Sequence, residues 1–198
     1  MAKSAKKKAN TNVIICGVGG QGIILASDVL CYGTSLAGFD VKKSEVHGMA
    51  QRGGSVITHV RFGDKVYSPL IAQGTADYIL AFEKVEAMRY AHYLEKNGEM
   101  IVDNREIPPM SVLVGEAEYP ADIDRRLTRM GKTYFIDATS VAADLGNIRV
   151  VNIVLLGVLS RFLRLKEKYW RDAIRKNVKE QFVDLNIQAF GRGRELAG

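Results

Sequence analysis

Cysteine is scarce in this chain: Cys16 and Cys31 are the two in 198 residues. An iron–sulfur cluster takes about four thiolates, and no Cys/His group has the spacing of a zinc site. Two thiols build no disulfide framework either, which is the pattern of a protein of the reducing cytoplasm. No apolar run reaches the ~18 residues of a membrane span. The basic start, with Lys3, Lys6, Lys7 and Lys8, lacks the apolar segment of a signal peptide. Acidic residues number 22 against 28 basic ones, a net charge of +6. Much of that excess sits in the basic start, and the remainder is too mildly basic for a nucleic-acid footprint. Residues 1–11 read as a solvated, disordered tail, residues 12–190 as a single α/β domain and residues 191–198 as a frayed end. No internal repeat or linker divides the chain, and 47% apolar content suffices for a core.

What is present is organised around Gly17-Val18-Gly19-Gly20-Gln21-Gly22. The apolar run Val13-Ile14-Ile15-Cys16 before it reads as a buried strand. Ile23 onward carries apolar residues at helical spacing. Strand, glycine turn and helix form the front of a βαβ unit. Gly17 permits the tight turn, Gly19 lets the backbone approach a ligand, and Gly22 lets helix and strand pack closely. The helix start then offers free N–H groups and a positive dipole end to a phosphate. Without a ligand, the same glycines would simply make a close-packed turn.

The pattern predicts an alternation of strands and helices. Strands are expected over residues 13–16, 40–46, 55–62, 76–82, 100–103 and 134–137, with residues 65–68 pairing back on 55–62 as a hairpin. The first helix should close at Gly38 and another should run over 83–97 to Gly98. Further helices are expected over 120–130, 140–145 and 150–165, the last being almost wholly apolar and therefore central, and over 168–181 and 182–190 as two helices or one bent one. This order specifies a three-layer αβα sandwich, Rossmann-like, with a mostly parallel sheet and one antiparallel hairpin.

The stretch His47-Gly48-Met49-Ala50-Gln51-Arg52-Gly53-Gly54 has no periodicity and reads as a loop. Ligands of such sheets lie outside the carboxyl ends of the strands, so this loop and the glycine turn should share one edge. Arg52 offers a fork for phosphate or carboxylate, Gly53 and Gly54 allow close approach, and His47 and Gln51 add donors. His59 alternates with apolar neighbours on a strand and reads as structural.

These residues carry a resemblance. The run from Val13 to Gly22, and Ser44-Glu45-Val46-His47-Gly48-Met49-Ala50-Gln51-Arg52-Gly53-Gly54-Ser55, are similar to the gamma-type domain of 2-oxoacid:ferredoxin oxidoreductases. The second motif most resembles the beta subunits of the indolepyruvate branch. Asp77-Tyr78-Ile79-Leu80-Ala81-Phe82-Glu83 and Asn152-Ile153-Val154-Leu155-Leu156-Gly157 also match the family style. The resemblance implies a complex that oxidatively decarboxylates an arylpyruvate, forms an acyl-CoA and reduces ferredoxin. It places thiamine diphosphate, Mg and the iron–sulfur clusters on a larger partner subunit. The glycine turn and the loop read above give this chain a candidate ligand edge of Gly17, Gly19, Gly20, Gln21, Gly22, His47, Gln51, Arg52, Gly53 and Gly54, to which the resemblance adds CoA as a shared substrate. Lacking a cluster cysteine set and a thiamine motif, the chain is expected to hold no metal and to show no activity alone. Catalytic residues are not assigned.

Two other readings stand beside it. Glu45 ends the second strand about where a nicotinamide-binding fold places its ribose-binding acid, which suits a stand-alone NAD-dependent dehydrogenase. A regulatory nucleotide-binding module fits the glycine turn as well.

Overall fold

The computed structural model describes residues 10–47 and 54–197. Its centre is a six-stranded sheet in the order β2-β3-β1-β4-β5-β6. The strands are β1 (Asn10–Val18), β2 (Asp40–His47), β3 (Ser55–Gly63), β4 (Ala76–Ala81), β5 (Leu94–Asp103) and β6 (Lys132–Ile136). β1, β4, β5 and β6 pair in parallel, while β3 runs antiparallel to both β1 and β2. β2 therefore points the same way as β1, and one strand breaks an otherwise uniform direction. Among the described residues, eight α-helices flank the sheet: α1 (Ile23–Leu36), α2 (Lys84–Tyr90), α3 (Met110–Leu113), α4 (Ile123–Met130), α5 (Ala138–Asp144), α6 (Val151–Phe162), α7 (Glu167–Asn177) and α8 (Val183–Glu195).

The two-residue period of β1 explains the three layers. Val13 and Ile15 pack with residues of α1, α6, α7 and α8 on one face. Ile14 and Cys16 pack with α2 and α4 on the other. A strand apolar on both faces has to be covered twice. Among the described residues, no helix is long and apolar enough to cross a membrane.

Local expectations differ from this fold at four places. Residues 65–68 form no strand, and the hairpin partner of β3 is β2. Side chains take the backbone groups a ladder would need there: Asp40 accepts the Val66 amide at 2.9 Å, and Arg61 donates to the carbonyls of Ser68 and Leu70. The helix expected over 83–97 ends at Tyr90, and β5 begins at Leu94. Gly98 does not stop a helix but sits inside β5, where a Cβ would lie 2.8 Å from the Ala76 carbonyl oxygen. β1 starts at Asn10, so residues 10 and 11 belong to the sheet and not to a tail. At the other end α8 continues to Glu195, because Gly193 packs into α6 where the glycines suggested fraying.

Candidate functional site

The glycine turn bends through Val18–Gln21, the Gln21 amide donating to the Val18 carbonyl at 3.2 Å. Left-handed backbone falls at Gly20 (φ 101°) and Gly22 (φ 80°). At Gly20 nothing would meet a Cβ within 4 Å, so the turn opens to solvent there. Gly17 is glycine because the backbone is crowded: a Cβ would lie 2.6 Å from Gln21 Oε1 and 2.8 Å from Phe82 Cβ. Gln21 turns inward. Its Oε1 accepts the Val18 amide at 2.6 Å and its Nε2 donates to the Phe82 carbonyl at 2.8 Å, so it shapes the turn. Gly22 caps α1 with no side-chain acceptor. Behind it, Asn152 Nδ2 donates to the Gly22 carbonyl at 3.3 Å.

Gly19, by contrast, meets the chain that returns from the second motif: its amide donates to the Gly54 carbonyl at 2.8 Å. His47 closes β2, and Val18 pairs with Ser55 at the start of β3. Both ends of the 47–54 stretch thus reach the sheet edge that carries the glycine turn. Gln51, Arg52 and Gly53 lie outside the described residues. Ser55 Oγ donates to Glu86 Oε2 and lies 2.9 Å from Tyr90 OH, which fixes where β3 begins. His59 is buried, and its Nδ1 accepts the Ile71 amide at 3.2 Å, a structural role.

A cleft of about 580 Å³ opens at this edge, lined by Val18 to Gly22, Leu25, Arg105, Ile107, Ile148, Arg149 and Asn152. Arg105 and Arg149 were not legible as site residues. Arg105 lies just past β5 and Arg149 just before α6, each in a segment without sequence periodicity. Neither guanidinium forms an ion pair among the described residues, although acidic side chains are plentiful. Two such cations, glycine amides and the start of a 14-residue helix together suit a polyanion.

Carboxylates buried at the same edge are all engaged. Asp103, at the end of β5, accepts the Ala138 amide at 3.2 Å and the Thr139 hydroxyl at 3.0 Å, docking α5. Burial raises its carboxyl from 3.8 to about 6, against those hydrogen bonds and the nearby Arg105. A folded-state pKa above the unfolded one means the native chain holds this proton more tightly. The contribution is therefore present below pH 3.8 and lost as pH rises through about 6. Asp103→Asn is expected to remove that dependence, flattening stability over this window by up to about 3 kcal/mol. Urea midpoints measured from pH 4 to 7 check it, and a slope equal to the parent's would assign the proton elsewhere.

Neither thiol suits a cluster. Cys16 lies within the sheet, its Sγ 3.7 Å from the Glu86 carbonyl, and burial and the charges of Glu86 and Glu83 raise it. Burial likewise pushes Cys31 up to about 12. No group of three or more His, Cys, Asp and Glu could hold a metal among the described residues. The nicotinamide alternative meets a topological obstacle. β3 separates β2 from β1, so Glu45 stands two strands from the glycine turn and pairs with Lys43 at 2.5 Å.

Residues 12–196 match the family described as pyruvate ferredoxin/flavodoxin oxidoreductase. Indolepyruvate oxidoreductase subunit IorB of Pyrococcus horikoshii is 43% identical, over 94% of this chain and 95% of its own length. The subunit of the same name from Archaeoglobus fulgidus is 39% identical, over 94% of each chain. The gamma subunit of a keto/oxoacid ferredoxin oxidoreductase from Geobacter sulfurreducens superposes with a TM-score of 0.71 at 25% identity, covering 94% of this chain and 98% of that one. The chain belongs to the pyruvate ferredoxin/flavodoxin oxidoreductase family, with subunits of indolepyruvate oxidoreductases among its relatives.

Proposed function

We propose that this chain is the cluster-free subunit of a cytoplasmic 2-oxoacid:ferredoxin oxidoreductase of the indolepyruvate type. In this reading a larger partner holds thiamine diphosphate, Mg and the iron–sulfur clusters and passes electrons to ferredoxin. The smaller chain completes the site by holding the phosphates of CoA in the carboxyl-edge cleft. The observation that carries the reading is the pair Arg105 and Arg149, cations without an ion pair among the described residues that line one cleft with the glycine turn. A diphosphate suits such a site, since charge-assisted bonds to guanidinium and backbone N–H are strong and directional. Arg52, which follows β2 in the chain, would add a third cation. In this reading Gly17 and Gln21 build the glycine turn, while Gly19, Gly20 and Gly22 border the ligand.

Reconstitution tests the assignment. The purified chain is expected to oxidise no indolepyruvate with an artificial electron acceptor, and adding the larger subunit should establish CoA-dependent turnover. Turnover by this chain alone would overthrow the subunit reading. Full activity of the larger subunit without it would overthrow the shared site.

A further inference from the structure

We propose that Phe82-Glu83-Lys84, at the end of β4, is a positioning element that sets the spacing between the two walls of the cleft, so that Glu83 and Lys84 act on the anion through Arg105. The inference rests on reading the cleft as the site of the CoA phosphates. Each residue of the tripeptide grips one wall. The Phe82 carbonyl accepts Gln21 Nε2 at 2.8 Å, and Gln21 Oε1 accepts the Val18 amide, which holds the glycine wall. Opposite, Glu83 and Lys84 hold three consecutive residues, 105–107. The Lys84 amide donates to the Arg105 carbonyl at 3.2 Å. Lys84 Nζ reaches Glu106 Oε1 at 3.2 Å and Asp124 Oδ1 at 2.8 Å. The Ile107 amide donates to Glu83 Oε1 at 3.1 Å.

The burial of these two charges needs a reason. Glu83 is 1% exposed and Lys84 5%, and taking an ion out of water is costly unless its bonds replace the solvent. Capping α2 accounts for only one of them, the Glu86 amide on Glu83 Oε2 at 2.9 Å. A surface Ser or Asp would cap as well. Of the remaining bonds, Tyr119 OH on Glu83 Oε1 at 2.8 Å and Asp124 of α4 on Lys84 Nζ come from farther along the chain, while the others run to the segment 105–107 that follows β5. That segment carries Arg105 and Ile107 to the cleft without regular structure of its own until α3. Chain lacking a ladder is positioned by side chains or not at all.

A double-mutant cycle on the reconstituted complex separates positioning from general support, with CoA as the probe. Glu83→Gln leaves a single oxygen for the three donors that converge on this carboxylate, the Glu86 and Ile107 amides and Tyr119 OH, and should raise the CoA Kd roughly tenfold. In an Arg105→Ala background the same change should add little, because the group it acts through is gone. Tyr119→Phe removes one of the bonds and should give a smaller rise of the same kind. Hydrogen exchange gives a readout independent of the ligand: in Glu83→Gln, protection should fall at the Ile107 and Lys84 amides first. Equal losses of affinity in both backgrounds, or unchanged exchange at those amides, would overturn the inference. If Arg105→Ala itself leaves CoA affinity unchanged while Glu83→Gln still deprotects Ile107, the CoA reading fails and the positioning role stands.

Discussion

Gly193→Ala is expected to cost roughly 3 kcal/mol of stability, lowering the melting temperature of the chain by about 6–12 °C. The reason is the contact between α6 and α8. A Cβ at Gly193 would sit 2.0 Å from the Val154 carbonyl oxygen, and one at Gly157 would sit 2.3 Å from the Phe190 carbonyl oxygen. These are backbone atoms inside helices, so no rotamer can turn aside and one helix has to move. Overpacking of this kind strains the whole interface and not a single side chain. Gly157→Ala should cost a similar amount, and the double variant less than the sum, since a pair of helices already separated has room for the second methyl. The effect should reach the cleft. α6 carries Asn152 near its start, bonded to the Gly22 carbonyl, so a displaced α6 shifts the support of the glycine turn. Thermal melts of the two single variants and the double check the prediction. Parental melting temperature in Gly193→Ala would mean that α6 and α8 have room between them for a methyl group.

Arg105→Ala is expected to raise the Kd for CoA ten- to hundredfold with little change in melting temperature. A charge-assisted bond is worth on the order of 1.5–3 kcal/mol, and the Arg105 side chain has no ion pair in the fold to lose among the described residues. Arg149→Ala should behave alike. Lysine at either position should recover only part, because an ammonium cannot reproduce a planar fork. Arg52→Ala belongs to the same series: a loop arginine that binds ligand loses affinity, whereas one that orders the loop loses stability first. Isothermal titration with CoA and melting curves, run together on the reconstituted complex, separate these cases. Lower melting temperatures with unchanged affinity across the series would remove the arginines from the site and leave them structural.

Much of this architecture was legible in the chain because it is local. The run 13–16, apolar at every position, specifies a strand covered on both faces. Gly38 and Gly146 adopt the left-handed backbone (φ 89° and 78°) with which α1 and α5 close. The apolar 150–165 stretch becomes α6, buried at ten consecutive residues from Val151 to Ser160. Two of the differences share one cause. Residues 65–68 read as a hairpin partner, yet their backbone is claimed by Asp40 and Arg61 from elsewhere in the sequence. Residues 91–97 continue a helical pattern, yet 91–93 tighten into a 3-10 turn and the ladder with β4 draws the chain from Leu94 onward into β5. Propensity is a weak prior wherever a distant partner offers the backbone better bonds.

The layer order, the glycine turn ahead of α1 and the edge that this turn shares with the two ends of the second motif were readable from the chain, because a period of two, a glycine spacing and strand direction are properties of short segments. The tertiary structure alone decided which atoms meet at the edge. It turned Gln21 inward and joined Gly19 to Gly54. It brought Arg105 and Arg149 to the glycine turn from segments 83 and 127 residues beyond Gly22. It also buried Glu83 and Lys84 to hold one wall in place. Those contacts depend on where strands β4 and β5 end and helix α6 begins in space, and no local pattern in the chain encodes a meeting of ends so far apart.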